Sequence, residues 1–239
     1  MAAHTASTRR DAFRALRELQ ARQLGLATVA QAAALDIGPA AILSEVRAGR
    51  LRRIRSGVVA VTGASSTYEQ ELLAVVLAAA GEAIAVVSHE CLAFWMGLPL
   101  PMDDRPMFHV TTRLERRPSM EGVRIHRSGH LSDLDVRHIG AIPVTSAARL
   151  VVDLSMRLDG PALGRLLDEA LRRRITSLVA VQRCALRLRN APGRSQERVL
   201  RVIRTRTGED AEAIGDPVPR RPAQVLSYAA WHIARDRVA

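Results

Sequence analysis

The feature that most constrains this chain is the break Asp36-Ile37-Gly38-Pro39, which separates two short apolar stretches and precedes an arginine-rich run. Gly38 permits a tight turn, and Pro39 suits the first position of a helix, where its missing N–H costs nothing. Upstream, Thr28 is placed as an N-cap, and Val29, Ala32, Ala33 and Leu35 give a small apolar helix face that a neighbour can approach closely. Ile37 can plug the angle between the two helices. Downstream, Ile42 and Val46 lie one turn apart and face inward, which leaves Ala41, Ser44, Glu45 and Ala48 outward, toward a major groove. After Gly49 the pattern becomes strand, turn and strand: Leu-Arg-Arg-Ile-Arg, Ser56-Gly57, then Val-Val-Ala-Val. The order is that of a helix-turn-helix with a wing, spanning residues 9–62 once an amphipathic helix carrying Phe13, Leu16 and Leu19 is added in front. The arginines of that first helix read as a wet face.

Charge sharpens this reading. All 35 basic residues are arginine against 24 acids, for a net charge of +11. Without lysine, Schiff-base chemistry, a P-loop lysine and the lysine of the common restriction-type nuclease site are excluded. Residues 1–62 carry ten arginines against four acids and residues 151–207 carry thirteen against five, whereas residues 63–150 have eight against ten. Two basic regions flanking a neutral one fit contact with nucleic acid. The predicted DNA-binding set is Thr28, Ala41, Ser44, Glu45, Arg47, Arg50, Arg52, Arg53 and Arg55, the cations on phosphates and the second helix on base edges. A solvated basic hairpin is the plainer alternative. A second stripe, Arg172, Arg173, Arg174, Arg183 and Arg187, could run along DNA outside the groove or be a solvated surface balanced by Asp168 and Glu169.

The remainder reads as a small α/β domain, residues 67–207, giving an α+β, mainly helical fold class overall. Residues 1–8 read as irregular. Tyr68 to Ala80 is an apolar helix, Ala83 to Val87 a buried strand, and Ser88 caps a helix through Trp95. Strands are predicted at 107–111, 123–127 and 141–144, and Thr145 caps a helix from Ala147 to Leu158. Helices at 161–174 and 176–189 follow, then one from Ser195 to about Arg206. Residues 208–239, with several prolines and no period, read as an irregular tail. Cys91 and Cys184 are isolated and read as reduced thiols. The opening residues give no expectation of a secretory signal, and the longest apolar run is too short for a bilayer, so a cytoplasmic location with no membrane partner is expected.

The ordered series of helix-turn-helix, GRLRRIRSGVVAV, SHECLAFWMGLP, FHVTT, VRIHRS and IPVTSAARLVVDLS resembles the AbiEi-type antitoxin family of type IV toxin-antitoxin systems, in the form common among actinobacteria. The resemblance covers about residues 10–207. It implies a winged helix-turn-helix domain on double-stranded operator DNA, joined to an antitoxin domain. It also implies autorepression, and a functional link to a neighbouring nucleotidyltransferase-type toxin that needs no direct contact. Many similar proteins continue into a very-short-patch-repair-like endonuclease domain; here 208–239 is too short for one. A catalytically inactive remnant of such a fusion is therefore the alternative reading. Glu45 departs from expectation, since an acid on a reading helix repels phosphate, although it could accept from cytosine.

Sites for chemistry are few, and neither cofactor nor metal is expected. Asp133-Leu134-Asp135 has the carboxylate spacing that nucleotidyltransferases use for Mg²⁺, but Ser128-Gly129 is reversed and too close to be the accompanying turn, so a solvated loop is expected. His126, His130 and His138 read as surface histidines rather than as a metal site. His89, between a cap and an aromatic core, reads as a structural imidazole. The chain is expected not to be an enzyme.

Overall fold

The computed structural model describes residues 2–80, 84–101, 107–113 and 119–207, and for residues 2–8 the backbone alone. The fold is α+β, with helix outweighing strand and two separate sheets.

The chain opens with α1 (Ala2–Arg22), so the helix predicted from Arg9 extends back through residues expected to be irregular. A short strand β1 (Leu26–Thr28) leads into α2 (Val29–Ala33) and α3 (Pro39–Arg47). Thr28 caps as predicted: its hydroxyl accepts from the Gln31 N–H at 2.9 Å, and the Gln31 side chain accepts from the Thr28 N–H at 2.9 Å. This reciprocal pair satisfies two donors that a helix start leaves open. Asp36 takes a left-handed φ of 61° in the turn, and Ile37 fills the inter-helix angle, buried with Leu16, Ala32 and Ile42. Ala41 departs from the outward reading, because it packs partly buried against that same cluster.

The wing is β2 (Leu51–Arg55) and β3 (Val58–Val61), and β3 lies between β1 and β2 in an antiparallel sheet. Strand alternation gives the sheet two apolar faces. Ala27, Leu51 and Val59 face the helix-turn-helix core, while Leu26, Val58 and Ala60 join the larger core beyond. The partner across that second face is α4 (Tyr68–Ala80), apolar on nearly all sides because it is covered by both sheets.

The second sheet has the order β6-β5-β4-β8-β7. Its strands are β4 (Ala85–Val87), β5 (Phe108–Thr112), β6 (Val123–Arg127), β7 (Val136–Ile139) and β8 (Ile142–Thr145). β4 and β5 are antiparallel, as are β7 and β8, whereas β5–β6 and β4–β8 are parallel. β7 is not predicted from the sequence because it is an edge strand with Arg137 and His138 exposed, and so shows no apolar run. α5 (His89–Trp95) follows β4, and α6 (Ala147–Leu154) follows β8. Two caps differ from expectation. Ser88 precedes α5 without a side-chain cap, and α6 is capped by Ser146, whose hydroxyl accepts from the Arg149 N–H, rather than by Thr145. α6 also ends at Leu154, short of Leu158.

α7 (Gly160–Arg172), α8 (Leu178–Arg187) and α9 (Gln196–Thr207) close the described chain, opened by Asp159, Ser177 and Ser195 hydroxyl or carboxylate caps. Cys91 and Cys184 are both free and buried. No helix among the described residues is long and apolar enough to cross a membrane. The stretch 208–239, read as a tail and as the remnant of an endonuclease-like domain, lies outside the described residues.

Candidate nucleic-acid interface

On α3 the side chains of Ser44, Arg47 and Ala48 are exposed, as a reading face requires. Glu45 is not a free acid. Arg50 Nε and Nη2 donate to its two oxygens at 2.7 Å each, closing a bidentate bridge from the helix to the start of β2. That hydrogen bonding lowers the Glu45 pKa, aided by the charges of Arg50, Arg17 and Arg9. Arg17 and Arg9 belong to α1, so the first helix brings its own cations toward the reading face. Helical periodicity alone leaves them on a wet surface; only the packing of α1 beside α3 reveals the proximity.

The wing arginines divide into two groups, and a β-bulge decides the division. Arg53 pairs with Val59 and Arg55 with Val58, so Ile54 is the extra residue. A bulge shifts the side-chain phase by one. Without it Arg53 and Arg55 would share a face; with it Arg55 turns to the α4 side, where its guanidinium lies 5.5 Å from the Phe108 ring centroid and reaches the Glu121 carbonyl. Arg52 also faces α4 and donates to Gln70 Oε1 at 3.2 Å. Both therefore hold the wing against the rest of the protein, contrary to the expectation that all five cations lie along phosphates. Arg47 and Arg53 are exposed and, among the described residues, form neither an ion pair nor a side-chain hydrogen bond. Thr28 is committed to its capping role, although the α2 N-terminus it caps lies beside the wing turn, with the Val29 N–H donating to the Gly57 carbonyl at 2.9 Å.

Residues 14–62 match the family model described as "Transcriptional regulator, AbiEi antitoxin". The match runs from within α1 to the end of the wing, so the AbiEi-type resemblance is borne out over this segment. The matched family is one of transcriptional regulators acting as antitoxins. No curated protein matches the chain.

The second arginine stripe is largely engaged inside the fold. Arg187 reaches back to Asp135. Arg173 donates to the carbonyls of Met96 at 2.7 Å and Gly97 at 2.9 Å, and Arg172 to Glu169 at 2.6 and 2.7 Å. Hydrogen bonding from Arg172, outweighing burial and joined by Arg173, holds the Glu169 carboxyl down at about 2. Arg174 and Arg183 are exposed, Arg174 with a left-handed φ of 56°.

Asp133 and Asp135 do not converge on a common point for a metal. Asp133 is exposed and pairs with Arg113 at 3.1 Å. Asp135, by contrast with the solvated loop expected, is buried in a short 3-10 turn. Its Oδ2 accepts from Arg149 Nη1 at 3.1 Å, from the Ser132 N–H at 2.9 Å and from the Ser132 hydroxyl at 3.0 Å. Burial opposes its charge, but hydrogen bonds from Arg187 and Ser132 and the charge of Arg149 prevail and lower its pKa. Arg149 is itself fully buried and bridges to Asp153 at 2.9 Å, which also accepts from Arg194 at 2.7 Å. This is an ion network of the fold, with its carboxylate lone pairs already used.

The histidines rearrange most. His130 and His138 are exposed, as expected, but His126 is half-buried and stacks on His89, with His109 beside it. Burial, then neighbouring His109, pushes His89 down to about 3; burial, then His89, does the same to His126. His89 also holds a left-handed φ of 54°, a conformation that costs a β-carbon-bearing residue about 1–2 kcal/mol. His109 and Glu90 are not found from the sequence because linear spacing groups His126 with the wrong histidines. The one available signal is that His109 and His126 each sit within a short predicted strand.

Proposed function

We propose that the chain is a DNA-binding transcriptional regulator that acts as antitoxin and autorepressor of a type IV toxin-antitoxin system. The observation that carries this is the coincidence, within the segment matched to the AbiEi antitoxin family, of exposed Ser44 on α3 with the exposed cations Arg47 and Arg53. Ser44 would meet base edges, Arg47 and Arg53 would meet phosphates, and the Glu45–Arg50 bridge would remove the repulsion that an isolated acid brings to a groove. Arg52 and Arg55 support the wing from behind. The partner is double-stranded operator DNA, and a neighbouring nucleotidyltransferase-type toxin is counteracted without required contact, in the cytoplasm.

Gel-shift titration on the DNA upstream of the coding frame, repeated over a salt series, tests this. The Arg47→Ala/Arg53→Ala double variant is expected to bind all sequences more weakly and to reduce the salt slope by about two, roughly one for each phosphate no longer neutralised. Ser44→Ala is expected to change sequence preference, and Arg52→Ala to leave the slope unaltered. A double variant with full affinity and an unaltered salt slope would falsify the assignment.

A further inference from the structure

Three imidazoles from three elements meet in the α/β half. Thr111 pairs with His126 and His109 with Arg124 in the parallel β5–β6 register, so His109 and His126 share one sheet face on a diagonal. α5 lays His89 over His126, ring centroids 3.7 Å apart and planes 11° from parallel. His109 Nδ1 and His126 Nε2 are 3.2 Å apart, and one nitrogen of each of the three rings lies within 4.8 Å of the others. Glu90 Oε2 approaches His109 Nδ1 to 2.9 Å, from a side chain only 9% exposed. That oxygen is buried and has no hydrogen bond among the described residues.

The convergence gathers more electron pairs than protons can serve. A ring nitrogen either donates or accepts, so a proton on His109 Nδ1 can satisfy His126 Nε2 or Glu90 Oε2 and leaves the other facing a lone pair. A cation among them satisfies both. With zinc–nitrogen bonds of about 2.0–2.1 Å, adjacent donors of a tetrahedral site stand roughly 3.3–3.4 Å apart, close to the separations around His109. His89 Nδ1 is 2.9 Å from Ser88 Oγ, which in turn accepts from the Thr111 hydroxyl at 2.8 Å. A ring anchored through Nδ1 presents the lone pair of Nε2, the outer-shell support usual for a metal-bound histidine. Arg157, paired with Glu90 Oε1, orients the carboxylate from outside.

We propose that His89, His109, His126 and Glu90 bind one zinc-class divalent cation that clamps α5 to β5 and to the edge strand β6. Three imidazoles and a carboxylate are a donor set suited to zinc, and four protein ligands make a closed, structural site. The site stands apart from the DNA-binding reading and is tested separately.

Untagged full-length protein, stripped by chelator and verified as folded by circular dichroism, is titrated with Co²⁺ as a spectroscopic probe and then competed with Zn²⁺. One Co²⁺ per chain is expected, with the intense visible absorption of tetrahedral coordination, displaced by one Zn²⁺. The melting temperature should rise with zinc and fall back on chelation. His109→Gln and Glu90→Gln should each weaken cobalt binding by about 100-fold or more, and His130→Gln, on an exposed turn, should leave it unaltered. Folded wild-type protein that binds no cobalt overturns the proposal, as does a cobalt site that survives in both His109→Gln and Glu90→Gln. Should His109→Gln fail to fold, Glu90→Gln, nearly isosteric and still able to meet Arg157, decides between the two outcomes.

Discussion

At the scale of single residues, Asp135 shows how far a sequence motif can mislead about chemistry. Two aspartates one residue apart invite a metal, yet the chain places one in solvent and the other under Arg149, Arg187 and Ser132. A buried carboxylate with every lone pair answered is a device for holding Arg149, whose burial would otherwise be prohibitive. Asp135→Asn is therefore expected to lower stability by about 3–5 kcal/mol, the usual cost of leaving a buried charge uncompensated. Asp133→Asn is expected to change it by about 0.5 kcal/mol or less, as for surface substitutions generally. Urea denaturation of the two variants makes the comparison. Equal effects would mean that the network contributes little.

At the scale of elements, local signals and pairing signals separate cleanly. The capping box at Thr28, the Gly38-Pro39 start of α3, the Ser56-Gly57 turn and the periodicity of α4 were legible because each depends on residues within one turn of one another. The bulge at Ile54 was not, since it is defined only by which residue of β3 lies opposite, and it alone decides that Arg53 faces out while Arg55 faces in. The histidine cluster was illegible for the same reason: His89, His109 and His126 are brought together by strand order, not spacing. Gly25, between α1 and β1, carries a position of this second kind. Its φ is +81°, and a Cβ added there would lie 2.8 Å from that of Ala64. Gly25→Ala should thus cost about 1–3 kcal/mol, read as a lowered denaturation midpoint, and a neutral result would show that the segment before Tyr68 can move aside.

For the molecule as a whole, the central strand β3 belongs to two cores at once. Val59 packs toward the helix-turn-helix, and Val58 and Ala60 pack toward α4. Residues 1–66 expressed alone would lay Leu26, Val58 and Ala60 open to water, together with the partly buried Ile54. At about 1.5–3 kcal/mol for each large apolar side chain uncovered, the fragment is expected to be unfolded or only marginally stable, while the full chain melts in one transition. Amide exchange on β3 matching between fragment and full chain would refute this. The distribution of charge along the sequence also changes meaning at this scale. Thirteen arginines in residues 151–207 suggested a second nucleic-acid surface, but Arg173, Arg187, Arg194 and Arg198 instead bind carbonyls and carboxylates that other elements bring to them. In a chain without lysine, arginine must serve as internal mortar as well as surface charge.

The bond from the Val29 N–H to the Gly57 carbonyl ties the wing turn to the first residue of α2, and Arg55 ties the wing's other flank to Phe108. A wing held at both flanks cannot fold onto a duplex after first contact. Calorimetry of DNA association should then show a small heat-capacity change, set by the docked surface alone, because no segment has to order itself. Any adjustment of shape between the partners falls to the DNA, so the stiffness of the operator, as much as its base edges, enters the choice of site.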